Sequence, residues 1–217
     1  MNATATARNL VAPVLRWGYR LRVQGAHLCP RRGPLLVVAP HRGFLDPTVI
    51  ATCLPRPVDV LVTPGALSTL GARVPGRIIV SEEDPGAALR HAREQLDAGT
   101  AVGAWIGDGL AGAAGYLAVR SSAPILPVAV FGGSGRHPGD PPTWRTPIDV
   151  VVGEPFSLSD VAQAEGVDPL ARSTILRAAE IIRQRVADHA EAAEVRAGRS
   201  DGVALDPRRP APDNGAL

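Results

Sequence analysis

No lysine occurs in the 217 residues; all 23 basic side chains are arginine. That bias accompanies a chain rich in alanine, glycine and proline and reflects composition more than function. Charge is nearly balanced, 23 basic against 21 acidic residues, and an excess of +2 gives no basic footprint for nucleic acid. The pI near 8.9 still suits an anionic phospholipid surface. There are only two cysteines, Cys29 and Cys53, in no metal or redox spacing, which excludes a disulfide framework and predicts free thiols in a reducing compartment. The histidines His27, His91 and His189 are scattered and exclude a zinc-ligand pattern. No run reaches the roughly 18–20 apolar residues of a membrane-spanning helix, and the N-terminus lacks the charged-then-apolar order of a secretory signal. The expectation is a cytoplasmic protein that touches the inner face of the plasma membrane without crossing it.

What is present is an ordered alternation of apolar runs and amphipathic segments. Residues 1–20 form an N-terminal segment in which Leu10, Val11, Val14, Leu15, Trp17 and Tyr19 interleave with Arg8, Arg16 and Arg20. Two readings stay open: a helix lying at a membrane interface, with arginines reaching phosphates and aromatics at headgroup depth, or a helix packed on its own domain. Strands are predicted at 21–27, 35–39, 58–62, 77–80, 101–106, 125–131 and 148–152. Helices are predicted at 47–54, 85–98, 111–120 and 169–197, with one or two helical turns at 66–70. Leu35-Leu36-Val37-Val38-Ala39 is a continuous apolar run, the mark of a strand buried on both faces. The helix at 85–98 carries its own signals: Asp84 as N-cap, Pro85 at the first position and Gly99 beyond the end. The repeated strand–helix–strand order predicts an α/β fold, a largely parallel central sheet flanked by helices, over residues 21–197. The polar, Pro/Gly-containing residues 198–217 read as a disordered tail.

The richest segment is Ala39-Pro40-His41-Arg42-Gly43-Phe44-Leu45-Asp46-Pro47, directly after the buried run. On a continuous helix His41 and Asp46, five residues apart, stand about 140° from each other. They meet only if a turn intervenes, which Gly43 favours and Pro47, as a first helical residue, permits. An imidazole oriented by a carboxylate at a strand end is a general base with its partner. The plainer alternative makes Asp46 a helix cap and His41 an ordinary loop residue.

The segment resembles the H-x-x-x-x-D motif of the glycerol-3-phosphate and lysophosphatidate acyltransferases, and the likeness extends from about Leu21 to Phe156. Gly76-Arg77-Ile78-Ile79-Val80 is similar to that family's second motif. Trp105-Ile106-Gly107-Asp108-Gly109 stands in the place of its third, and Ala123-Pro124-Ile125-Leu126-Pro127-Val128 resembles its fourth. The resemblance implies a glycerolipid acyltransferase-like fold and an O-acyltransferase of phospholipid biosynthesis. It would move a fatty acyl group from acyl-CoA or acyl carrier protein to a hydroxyl of a lysophospholipid or related lipid alcohol. His41 and Asp46 are then catalytic, and Arg42, Gly76, Arg77, Asp108, Gly109 and Pro127 bind substrate. The acyl thioester and the lipid acceptor are the partners, a membrane surface is a further one, and the chemistry uses no metal or redox cofactor. The oxyanion donor stays open between a backbone N–H and Arg42.

The sequence also departs from the family pattern. Glu82 and Ala111 stand where the family has arginines that hold the acceptor's phosphate, and Asp108 and Leu110 replace Glu and Thr. Replacing a guanidinium fork by an apolar side chain or a carboxylate removes a charge-assisted contact. A weakened homologue that binds lipid or acyl chains without efficient turnover is therefore the competing reading. A third signal, Gly107-Asp108-Gly109-Leu110-Ala111-Gly112, fits G-x-G-x-x-G, but the strand after it ends in Phe131-Gly132-Gly133 with no acidic residue for a ribose. The loop Gly132-Gly133-Ser134-Gly135-Arg136-His137 could wrap an anion through its backbone or be simply solvated.

Overall fold

The apolar run at 35–39 does become the middle of a sheet. The structure, a computed structural model, describes residues 3–63, 76–81, 83–106, 111–137, 139–158 and 172–198, with the backbone alone for 3–10 and 111. In chain order the elements are helix α1 (Ala3–Gly18), strands β1 (Arg20–Gln24) and β2 (Leu35–Pro40), helix α2 (Asp46–Cys53), strands β3 (Val58–Val62) and β4 (Arg77–Ile79), helix α3 (Pro85–Asp97), strand β5 (Ala101–Ile106), helix α4 (Ala111–Ser121), strands β6 (Ile125–Phe131) and β7 (Pro147–Val152), and helix α5 (Arg172–Arg196). A 3-10 turn occupies Ala26–Leu28. The expected helical turns at 66–70, the start of the last helix at 169–171 and the tail from 199 onward lie outside the described residues.

The described strands form one sheet in the order β1-β7-β6-β2-β5-β3-β4. β6, β2, β5, β3 and β4 run parallel, β7 is antiparallel to β6, and β1 is parallel to β7. The fold is α/β, with a mostly parallel sheet flanked by helices. Every residue of β2 is buried, because both of its faces are covered. Alternation sorts the side chains: Leu35, Val37 and Ala39 join the core under α1 and α2, and Leu36 and Val38 join the core under α3, α4 and α5. β5 divides likewise, with Ala101 and Trp105 on the first face and Val102 and Ala104 on the second.

Local chemistry explains where elements stop. Asp84 caps α3 by accepting a hydrogen bond from the Ala87 N–H at 3.0 Å. The strand expected over 21–27 ends at Gln24, because Gly25 turns the chain at φ 72 and a side chain there would run into the Val152 carbonyl. Helix α1 docks on its own domain through Leu15, which is buried, and Val11, which packs against the same core. Its Val14 and Trp17 face away, 61% and 77% exposed. Among the described residues no helix is long and apolar enough to cross a membrane.

Candidate active site

Strand β2 delivers His41 to the carboxyl edge of the sheet, where its N–H donates to the Ile106 carbonyl at the end of β5 (3.5 Å). Residues 41–45 form a turn, and α2 begins at Asp46 itself. The Asp46 side chain is fully buried. Its Oδ2 accepts the backbone N–H groups of Arg42 at 2.9 Å and Gly43 at 2.7 Å, and its own N–H donates to the Gly43 carbonyl at 3.2 Å. The cap position of α2 is Leu45, which makes no side-chain cap bond. Asp46 therefore does not cap the helix that follows. Its carboxylate reaches backward, binds the residue next to His41 and closes the turn that the spacing requires.

The turn is clamped from outside by the segment after β6. Leu45 N–H donates to the Gly133 carbonyl at 2.9 Å, and the Ser134 hydroxyl donates to the Arg42 carbonyl at 2.9 Å. The fit leaves no space for side chains. A Cβ on Gly43 would lie 2.7 Å from the Gly133 carbonyl carbon and 2.9 Å from Asp46 Oδ1, and one on Gly133 would collide with that same oxygen. Gly133 and Ser134 were legible in the sequence only as parts of a possible anion loop; their role in supporting the turn depends on contacts with residues far away in the chain.

His41 itself is half-buried, with its ring edge-to-face against Trp105, centroids 5.4 Å apart at 85°. Trp105 is 2% exposed and fixed by its Nε1–H, which donates to the Leu61 carbonyl at 2.6 Å. The His41 ring thus has a fixed aromatic wall on one side and keeps part of its surface exposed, as a base that must meet a substrate requires.

The other expected site residues divide. Alternation carries Arg42 to the opposite face from His41, where its guanidinium lies 5.8 Å over the Phe131 ring and 3.8 Å from the Glu194 carboxylate of α5. Its backbone N–H is already taken by Asp46. Pro127 is buried in β6 on the α5 face, where a Cβ added to Gly153 would meet both its ring and His189. Arg77 is exposed at the start of β4, paired in register with Val60, which in turn aligns with Gly103 and Val37. That register sets it roughly 13 Å back along the strands and roughly 14 Å across the sheet from His41. Gly76, just before it, holds a turn at φ 71 and accepts from the Val60 N–H at 2.7 Å. Arg42, Pro127, Gly76 and Arg77 are therefore not gathered around the imidazole. Asp108, Gly109 and Glu82 lie outside the described residues, as does most of the glycine-rich loop from 107.

No protein-family model and no curated protein sequence matches the chain. Among solved structures, the 1-acyl-sn-glycerophosphate (LPA) acyltransferase PlsC from Thermotoga maritima is similar to it, with a TM-score of 0.63 and 16% identity over 88% of this chain and 79% of that one. The two share a fold. At that identity the likeness carries the architecture alone, and chemistry has to be argued from the turn.

Proposed function

We propose that the protein is an acyltransferase that moves a fatty acyl group from the thioester of acyl-CoA or acyl carrier protein to a hydroxyl of a lysophospholipid or related lipid alcohol. His41 is the general base and Asp46 the residue that orients it. The acceptor oxygen attacks the thioester carbonyl as the His41 imidazole takes its proton. Collapse of the tetrahedral intermediate expels the thiolate, and the imidazolium returns the proton to it, giving ester and free thiol. Asp46 stabilises the imidazolium between these two steps. The observation that carries this reading is the backward reach of the Asp46 carboxylate to the Arg42 and Gly43 N–H groups. A buried carboxylate is costly unless hydrogen bonded, and this one is held beside the backbone of a histidine at a strand end. The shared fold with an LPA acyltransferase agrees with it.

The acceptor we favour does not depend on a phosphate read by arginine at the His41 turn, because Arg42 is engaged on the other face with Glu194 and Arg77 begins a distant edge strand. The same placements favour a second reading, a homologue that binds acyl chains without turnover. The test is transfer from a long-chain acyl-CoA, and separately from acyl carrier protein, to lysophosphatidate, other lysophospholipids and monoacylglycerol, with products followed by mass spectrometry. The expected result is ester formation with monoacylglycerol at least as efficient as with lysophosphatidate. A folded protein that esterifies none of them with either donor overturns the enzyme reading in favour of binding.

A further inference from the structure

A cavity of about 540 Å³ opens beside the end of α1, lined by the guanidinium-bearing Arg16, Arg20 and Arg145 together with Trp17, Tyr19 and the apolar Leu21. Cys53, at the last turn of α2, also borders it. The cavity is thus about 10 Å along α2 from Asp46, on the same side of the sheet as His41 but apart from its turn. Among the described residues no carboxylate lines it and none of the three arginines is paired with one. Three like charges around one space repel each other unless an anion enters.

The chain is bent to complete this set. Arg145 sits in the left-handed region at φ 64, a conformation that glycine favours, and is held there by its N–H donating to the Gly18 carbonyl at 2.7 Å. Trp144, just before it, packs so closely over Gly18 that a Cβ there would lie 2.8 Å from the indole. The β6–β7 connection is thereby locked onto the end of α1, and Arg145 joins the arginines of the N-terminal segment.

The surroundings of the cavity select the kind of anion. Trp17 and Trp144 meet edge-on with centroids 5.0 Å apart, yet are 77% and 56% exposed. Val14, one turn before Trp17, is also exposed. A soluble anion gains nothing from that apolar margin. A bilayer does: tryptophans settle at headgroup depth, aliphatic side chains enter the acyl boundary, and arginines meet lipid phosphates.

We propose that this cavity holds the phosphate of an anionic phospholipid at the membrane surface, gripped by Arg16, Arg20 and Arg145, with Trp17 and Trp144 in the interface. The site is distinct from the acceptor site and stands whether or not the His41 turn transfers acyl groups. Its test is flotation of the full chain with vesicles of phosphatidylcholine, alone or mixed with phosphatidylglycerol. The expected result is binding that needs phosphatidylglycerol and falls about fivefold for Arg16→Gln and for Arg145→Gly. Glycine suits the backbone at 145, so that variant keeps the fold while losing the charge. Arg183→Gln, at a partly exposed position on α5, removes the same charge elsewhere and is expected to bind as wild type does. Equal binding to both vesicle types, or an equal loss in Arg183→Gln, overturns the proposal in favour of no lipid selectivity or a diffuse charge effect. A saturable tryptophan fluorescence change on adding inorganic phosphate or CoA without lipid, abolished by Arg145→Gly, assigns the cavity to a soluble ligand and overturns it as well.

Discussion

The two faces of the sheet are built on different terms. Under α3, α4 and α5 the contacts are close and made by small residues: Ala88, Ala92, Ala114, Ala118, Ala178, Ala190 and Ala193 are all buried. A Cβ on Gly115 of α4 would run into the Ile175 carbonyl of α5. Two charged pairs there, Arg183–Glu180 and Arg93–Asp97, lie at the solvent rim, and a third, Arg42–Glu194, is mostly buried. Under α1 and α2 the protein buries Asp46, Thr48 and Thr52, exposes two tryptophans and leaves a cationic cavity. Exposed apolar side chains occur on both faces, Leu176 and Val195 of α5 among them. The buried polar side chains, which oppose stability unless satisfied, gather instead at α2 beside the His41 turn and mark where function has shaped the sequence. Asp149 is an exception, a buried carboxylate of β7 whose alternation assigns it to the α5 face.

This contrast predicts that the two faces fail in different ways. Asp46→Asn is expected to lower acyl transfer per folded molecule by about 10²–10⁴-fold, the usual contribution of an oriented general base. Ile182→Ala, in the sealed core under α5, is expected to cost about 2–5 kcal/mol of stability in urea titration while leaving turnover per folded molecule near wild type. Equal losses of turnover in the two folded variants would break the division. Gly133→Ala sharpens it from the support side. Its methyl group meets Asp46 Oδ1, and we expect turnover to fall at least about tenfold with about 1–3 kcal/mol of destabilisation.

The smallest effect belongs to His189, on the structural face. Burial lowers its pKa, the hydrogen bond to the Val151 carbonyl at 3.0 Å opposes that, and Arg196 adds to the lowering. The unfolded chain takes up a proton near pH 6.5, above the folded value. The contribution of His189 is therefore complete above about pH 6.5 and is lost as pH falls through the folded pKa. Urea midpoints at pH 7 and pH 5.5 should drop more for wild type than for His189→Gln, with turnover per folded molecule unchanged at pH 7.

The strands were legible because burial on both faces leaves nearly continuous apolar runs: 101–106 and 125–131 stand where those runs predict, and 58–62 does so with Asp59 as its one interruption. The turn at 41–46 was legible as a possibility, since five residues, a glycine and a following proline permit it. The choice between turn and cap was not, because it depends on which way the Asp46 carboxylate points. Facing was harder still. Arg42 looks like a site residue from its neighbours, but alternation continues two residues beyond β2 and sends it to Phe131 and Glu194. Trp105, Gly133 and Ser134 carried no local signal as partners of the turn, since strand pairing and loop packing bring them there from distant parts of the chain. Arg16, Arg20 and Arg145 likewise become a set only through the Gly18–Arg145 contact.

The central claim is that His41 takes the acceptor's proton. Its most direct test is thiol release from a long-chain acyl-CoA, followed together with ester formation on a lipid alcohol, for wild type and a His41→Ala variant shown by circular dichroism to be folded. The role of His41 as base requires matched thiol and ester in wild type and a loss of at least about a hundredfold in the variant. Equal transfer by the two proteins would contradict it.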